Sequence, residues 1–163
     1  MSRLESAIRR LEAQRDCIDA AARTLAGRKG CVLELGLGNG RTYDHLRHRC
    51  PDNEIFVFER VVRAHADSTP DDAHLFLGDF FDTLPLAAAR LGSTAILAHC
   101  DFGSGRPEID DEVAAGLSAA LAPLLTPGAL VLSDQPIRHP AWRPVPLPET
   151  VADARYHIFE TTA

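Results

Sequence analysis

The sequence predicts an α/β domain: a doubly wound, mainly parallel sheet of seven strands with helices on both faces and an extra N-terminal helix. Three observations lead there. Short apolar runs alternate with helical stretches between residues 31 and 133, the pattern of strand–helix–strand units. Those runs are apolar almost throughout, as strands are when both sheet faces are covered. The 163 residues, 45% hydrophobic and 25% charged, suit a single domain with a core of its own. Residues 1–28 are assigned to an amphipathic N-terminal helix and residues 29–163 to the body of that domain.

The first helix is expected over residues 2–26. Ser2 and Glu5 form a capping box, in which each side chain accepts from the other residue's free backbone N–H. Leu4, Ile8, Leu11, Ile18 and Leu25 fall on one stripe, and Gly27 supplies the stop. Such a helix packs on the domain, on a twin helix in a dimer, or over a ligand site.

Strands follow at Cys31–Leu35, Glu54–Phe58, His74–Leu77, Thr94–Cys100 and Ala129–Ser133. Helices are expected at Arg41–Arg49, Val61–Asp67, Asp82–Leu91 and Asp110–Ala122. The last carries acids in its first turn, where the helix dipole favours them. Pro123 and Thr126-Pro127-Gly128 are read as its end. Residues 135–148, QPIRHPAWRPVPLP, hold five prolines, so any strand there belongs at a sheet edge. Arg155–Thr161 reads as a final strand.

Composition excludes several classes of function. Net charge is −6, and Lys29 is the one lysine among 17 basic residues; a partner made of phosphates would call for a basic face. Nucleic acid is therefore disfavoured. No apolar run approaches the roughly 20 residues of a membrane span. The segment MSRLESAIRRLE lacks the apolar centre of a signal peptide, which makes the cytoplasm the expected location. Cys17, Cys31, Cys50 and Cys100 have neither C-x-x-C nor zinc spacing and read as free thiols.

The chemistry concentrates in CVLELGLGNGRTYDHL, residues 31–46. Gly36, Gly38 and Gly40 follow a strand directly, which lets a ligand approach backbone that a Cβ would block. A dinucleotide fingerprint would need glycine at position 41, which is arginine, and a P-loop would need a lysine after its last glycine. The spacing is instead G-x-G-x-G, with Glu34 two residues before the first glycine. A carboxylate in a buried strand is costly unless paired.

VLELGLGNG, residues 32–40, resembles the first motif of the class I S-adenosylmethionine-dependent methyltransferases. Glu59 at the end of the second strand, Asp79-Phe80 after the third, Asp101 after the fourth and LLTPGALVLSD at 124–134 continue the likeness, which covers residues 30 to 134. The resemblance implies that residues 29–163 bind S-adenosyl-L-methionine and release S-adenosyl-L-homocysteine. It implies Glu34 near the ligand ammonium, directly or through water. The amides of Gly36, Gly38, Asn39 and Gly40 would lie against the methionine portion and Glu59 on the ribose hydroxyls. Asp79 would accept from the adenine amino group, with Phe80 offering its backbone N–H or its ring. Asp101 would contact both cofactor and acceptor. Asp79 also reads as a helix cap.

Asp101 and His99 are the candidate catalytic groups. His99 is either a general base or a buried strand residue. Asp101 is followed by Phe-Gly-Ser, where relatives that methylate amide or adenine nitrogens carry two prolines and an aromatic, so such acceptors are disfavoured. Asp101, Asp134 and Gln135 echo the metal ligands of catechol-type O-methyltransferases, but the rest of that pattern is missing and no metal is expected. The short, proline-containing segment Gln135–Trp142 leaves a small acceptor poorly enclosed; the N-terminal helix, a second subunit or a large substrate would supply the missing wall, and a homo-oligomer is expected. The acidic charge favours a small-molecule acceptor over a polymer. A non-catalytic protein binding S-adenosylmethionine or a nucleotide on the same fold, and an NAD-dependent oxidoreductase, are the competing readings.

Overall fold

The computed structural model describes residues 2–152 and 155–162. Helix α1 spans Arg3–Thr24 and is followed by β1 (Cys31–Leu35), α2 (Arg41–Arg49), β2 (Ile55–Glu59) and β3 (Leu75–Leu77). Then come α3 (Phe80–Leu91), β4 (Ala95–Cys100), α4 (Pro107–Leu121), β5 (Leu125–Ser133), β6 (Trp142–Pro144) and β7 (His157–Thr161). The seven strands form one sheet in the order β3-β2-β1-β4-β5-β7-β6. β1 to β5 are mutually parallel, and β7 runs antiparallel to both β5 and β6.

Each face of the sheet has its own core. Val32, Val57, Leu97 and Leu132 pack with Ile18, Leu46 and Ile158 on the side of α1 and α2. Leu33, Leu35, Phe58 and Val131 pack with Leu84, Leu117 and Leu121 on the side of α3 and α4. Alternation along the strands therefore places Glu34 and His99 on the α1/α2 side. The chain winds outward from β1 to β3, then returns to β4 on the other side of β1. Ligand crevices of open sheets form at such a reversal, outside the carboxyl ends of the strands.

Four expectations change. Within Val61–Asp67 only a short 3-10 turn at Ala66–Ser68 forms; the stretch is too short to repay helix nucleation, and Arg47 pins it by donating to the Asp67 carbonyl at 2.8 Å. Thr126-Pro127-Gly128 lies inside β5, where a register shift against β4 absorbs it, with Gly128 at φ 69°. The buried side of α1 is Ala13, Gln14, Cys17, Ile18 and Ala21, so the front of the expected stripe, Leu4, Ile8 and Leu11, faces outward. Finally, α3 begins two residues earlier than expected, with Asp79 as its cap, and α4 three residues earlier, at Pro107. The proline-bearing segment does hold an edge strand, β6.

The β1–α2 turn owes its path to Gly36. Its φ is 95°, and a Cβ there would stand 2.1 Å from the Asp101 carbonyl oxygen. Two β-strand ends can diverge this closely only where the side chain is absent. Gly36→Ala is expected to cost roughly 2–4 kcal/mol of folding stability, read as a lowered urea midpoint at unchanged slope.

Candidate functional site

Four strand ends converge on one crevice of about 270 Å³, lined by Gly36, Gly38, Glu59, Asp79, Phe80 and Asp101. Phe102, Ile109 and Val113 form an apolar wall. Gly38 has φ 51° and open space where a Cβ would point, so the turn presents bare backbone. Asn39 instead lines a neighbouring cavity of about 170 Å³ under α1, with Arg10, Gln14 and Asp101. Gly40 lines neither cavity and packs against the backbone of Ser68.

The acids are fixed by short local bonds. One Glu59 oxygen accepts from the Gly38 N–H at 3.1 Å, and the other accepts from Arg60 N–H at 2.7 Å. The carboxylate thus ties the end of β2 to the glycine turn. Asp79 caps α3 by accepting from Phe81 N–H at 3.0 Å and takes the Arg60 guanidinium at 2.7 Å. The backbone N–H and then Arg60 hold its carboxyl below the ordinary range. Asp101 accepts from the Gln14 amide of α1 at 2.8 Å, with Arg10 at 3.8 Å. Asp134, just beyond β5, accepts from the Phe102 and Gly103 N–H groups at 3.3 and 3.0 Å. Burial, and next the Asp101 carboxylate, push the Asp134 carboxyl up.

Two expected site residues lie elsewhere. Glu34 and His99 have no exposed surface, and neither lines the crevice or the cavity beneath α1. Glu34 does not wait for a ligand ammonium. One of its oxygens meets His99 Nδ1 at 2.6 Å, and the other accepts from the Thr42 hydroxyl. His99 Nε2 pairs with the Tyr156 hydroxyl. With both ring nitrogens engaged and no solvent contact, His99 has no edge left to act as a base on an acceptor. Glu34, His99 and Tyr156 form a buried chain beneath the turn, and the link from Glu34 to the partly buried Thr42 joins the strand before the glycines to the helix after them.

Sequence reading missed Gln14, Arg60, Thr42 and Tyr156. Gln14 carried a signal, since it sits three residues after Leu11 and four before Ile18, where the stripe calls for an apolar side chain. Arg60 follows Glu59 directly. Tyr156 had no local signal, because its partner is 57 residues away. Among the described residues no cluster of three His, Cys, Asp or Glu side chains has the arrangement of a metal site.

Burial alone would lower the pKa of His99, but the Glu34 carboxylate, with Asp101 and Asp134 beyond it, outweighs burial and raises it. A proton held more tightly when folded stabilises fully below the unfolded value of about 6.5. That contribution is lost as pH rises through the folded value. Unfolding free energy is therefore expected to fall above that pH, and His99→Gln to flatten the fall in urea titrations across pH. His74, raised by Asp71, remains in the variant and serves as the internal comparison.

Comparison with known proteins identifies the family. The profile of a family described as S-adenosyl-L-methionine methyltransferase matches residues 1–161. A crystal structure of an S-adenosyl-L-methionine methyl transferase from Silicibacter pomeroyi is 42% identical, with 99% of each chain covered and a TM-score of 0.94. More distant likenesses share the fold. Cofactor-bound Rv0187 from MTB is 16% identical over 99% of this chain and 81% of that one, with a TM-score of 0.57. The sugar N-methyltransferase KedS8 from Streptoalloteichus is 22% identical over 82% of this chain and 55% of that one, with a TM-score of 0.54. No curated protein matches. The glycine turn, the strand-end acids and a match over nearly the whole length lead to one statement: the chain belongs to the S-adenosyl-L-methionine methyltransferase family.

Proposed function

We propose that this methyltransferase holds its cofactor in the crevice at the ends of β1 to β4 and methylates a small molecule, with S-adenosyl-L-homocysteine as the second product. One observation carries the reading: Glu59, Asp79 and Asp101, from separate segments, line the same crevice as the bare Gly38 backbone. A cation with several hydrogen-bond donors suits that lining, because carboxylates only accept.

Bound there, S-adenosyl-L-methionine supplies a methyl carbon made electrophilic by its sulfonium. The remaining work falls to side chains of this protein. Glu59, held by the Gly38 N–H, has lone pairs left for the ribose diol. Asp79, with Phe80 beside it, faces the adenine amino group and shares its charge with Arg60. The Gly36 and Gly38 backbone leaves room for the methionine portion, while Phe102, Ile109 and Val113 exclude water. Asp101 stands at the border of the crevice, where it orients the ligand ammonium or takes a proton from the acceptor. Beside it, burial and next the Asp101 carboxylate push the Asp134 carboxyl up.

A net charge of −6 argues against nucleic acid as the acceptor and for a small molecule. No described helix is long and apolar enough to cross a membrane. The four cysteines are buried and free, with burial pushing the Cys17 thiol up to about 12, which fits the reducing cytoplasm. We also propose a homo-oligomer in which a second copy covers Leu4, Ile8 and Leu11, exposed by 70%, 45% and 37% on one face of α1. Opposed about a two-fold axis, Leu4 would meet the partner's Leu11, with Ile8 on the axis.

Calorimetry with S-adenosyl-L-methionine, S-adenosyl-L-homocysteine and NAD tests the site. Glu59→Ala is expected to weaken the first two by about ten-fold or more, the worth of roughly 1.4 kcal/mol of lost hydrogen bonding. Unchanged affinity would remove Glu59 from the site, and tight NAD binding would overturn the cofactor assignment. Light scattering after gel filtration tests assembly: Ile8→Glu should give the monomer mass, and a wild-type monomer sinks the oligomer.

A further inference from the structure

A further cavity, of about 510 Å³, opens beside the cofactor crevice over the end of β5, lined by Arg3, Ser6, Arg10, Asp134, Gln135 and Arg155. Arg3 and Arg10 lie on the face of α1 turned toward the strand ends. Arg155 comes from the segment before β7. Three guanidinium groups around one hollow stand out in a chain of net charge −6.

Arg10 joins this cavity to the one beneath α1, since it lines both. Asp101 separates the two sides. It lines the crevice and is held from α1 by Gln14 at 2.8 Å and by Arg10 at a loose 3.8 Å. The charges at the strand ends are therefore sorted. Among the described residues, the acids Glu59, Asp79 and Asp101 line the cofactor crevice with Arg60 as its one basic residue, and three arginines line the neighbouring hollow with Asp134 as its one acid. Arg3 makes no hydrogen bond or ion pair among the described residues, and Arg10 is half exposed with one distant carboxylate as its partner. A guanidinium presents a planar fork matched to carboxylate and phosphate. Asp134 lines the same cavity, and its carboxylate already accepts from the Phe102 and Gly103 N–H groups, which offset part of its charge toward an incoming anion.

We propose that this arginine-lined cavity is the acceptor subsite, and that the methyl acceptor is a small molecule bearing a carboxylate or phosphate. The anionic group rests among Arg3, Arg10 and Arg155 while the atom to be methylated reaches toward Asp101. This rests on the cofactor reading above and adds the substrate class. In that arrangement α1 is the wall of the acceptor site, and the cationic cofactor and anionic acceptor approach Asp101 from opposite sides.

The test uses the full-length protein loaded with S-adenosyl-L-homocysteine, titrated calorimetrically with inorganic phosphate and with malonate. Saturable binding of one probe at millimolar strength is expected, and which probe binds identifies the group. Arg3→Glu and Ser6→Glu place acids in the first turn of α1, where the helix dipole tolerates them, so α1 is expected to remain folded. Each should weaken the probe about five-fold or more by charge repulsion while S-adenosyl-L-homocysteine binds as before. The proposal is overturned if neither probe binds up to about 50 mM, or if both variants bind the probe like the wild type. Probe binding in a protein that fails to take up S-adenosyl-L-homocysteine would also overturn it, through the cofactor reading on which it rests.

Discussion

A carboxylate sealed in the middle of the sheet is the constraint around which this molecule is built. Glu34 has no contact with solvent, and an unpaired charge in that position would cost several kcal/mol. His99 stands opposite it in the β1–β4 register and supplies the counter-charge; Thr42 and Tyr156 satisfy the atoms left over. Among the described residues no buried side-chain polar atom lacks a partner. The arrangement works only if β1, α2, β4 and the segment before β7 occupy their places together. A pairing that demands four segments at once selects one packing over its neighbours, which is the best-attested use of buried polar groups. The glycine turn lies directly above it, bracketed by Glu34 and Thr42, so the rigid floor and the bare turn belong to the same unit.

Above that floor, electrostatics divides the labour. Acids at separate strand ends face one crevice, and their charge is moderated locally by Arg60, by backbone N–H groups and by α1. The N-terminal helix does more than cover the sheet. Through Gln14 it fixes the carboxylate that borders the site, and the face bearing Arg3 and Arg10 gives the neighbouring hollow the opposite sign. Two ligands of unlike charge can then be admitted without either being drawn to the wrong side.

Much of this was legible in the chain itself. Apolar runs located five parallel strands to within a few residues, because a strand covered on both faces leaves a plain record in composition. The prolines at 136–148 placed β6 at an edge for an equally local reason. That Glu59, Asp79, Phe80 and Asp101 meet at one crevice was readable because each stands at or just past the end of a strand, and the topology of the fold brings strand ends together. What stayed hidden depends on distance. Glu34 was recognised as needing a partner, but nothing near it named His99, and no periodicity joins Tyr156 to residue 99. The hydrophobic spacing of α1 was real, yet spacing alone does not say which side of a helix the sheet will cover: small residues, Ala13, Cys17 and Ala21, allow the close approach, while Leu4, Ile8 and Leu11 point away. The turn-forming look of Thr-Pro-Gly misled for a related reason, since a bulge against β4 can take up what would otherwise break a strand.

The outer strands carry a separate consequence. Both margins of the sheet, β3 and β6, are only three residues long, and the second includes Pro144, which has no N–H to offer. Neither margin gives another chain enough free backbone to extend the ladder. Fibre-like growth through the sheet is thereby discouraged, and self-association is left to side chains on the outer surface, where it can close on itself and stop.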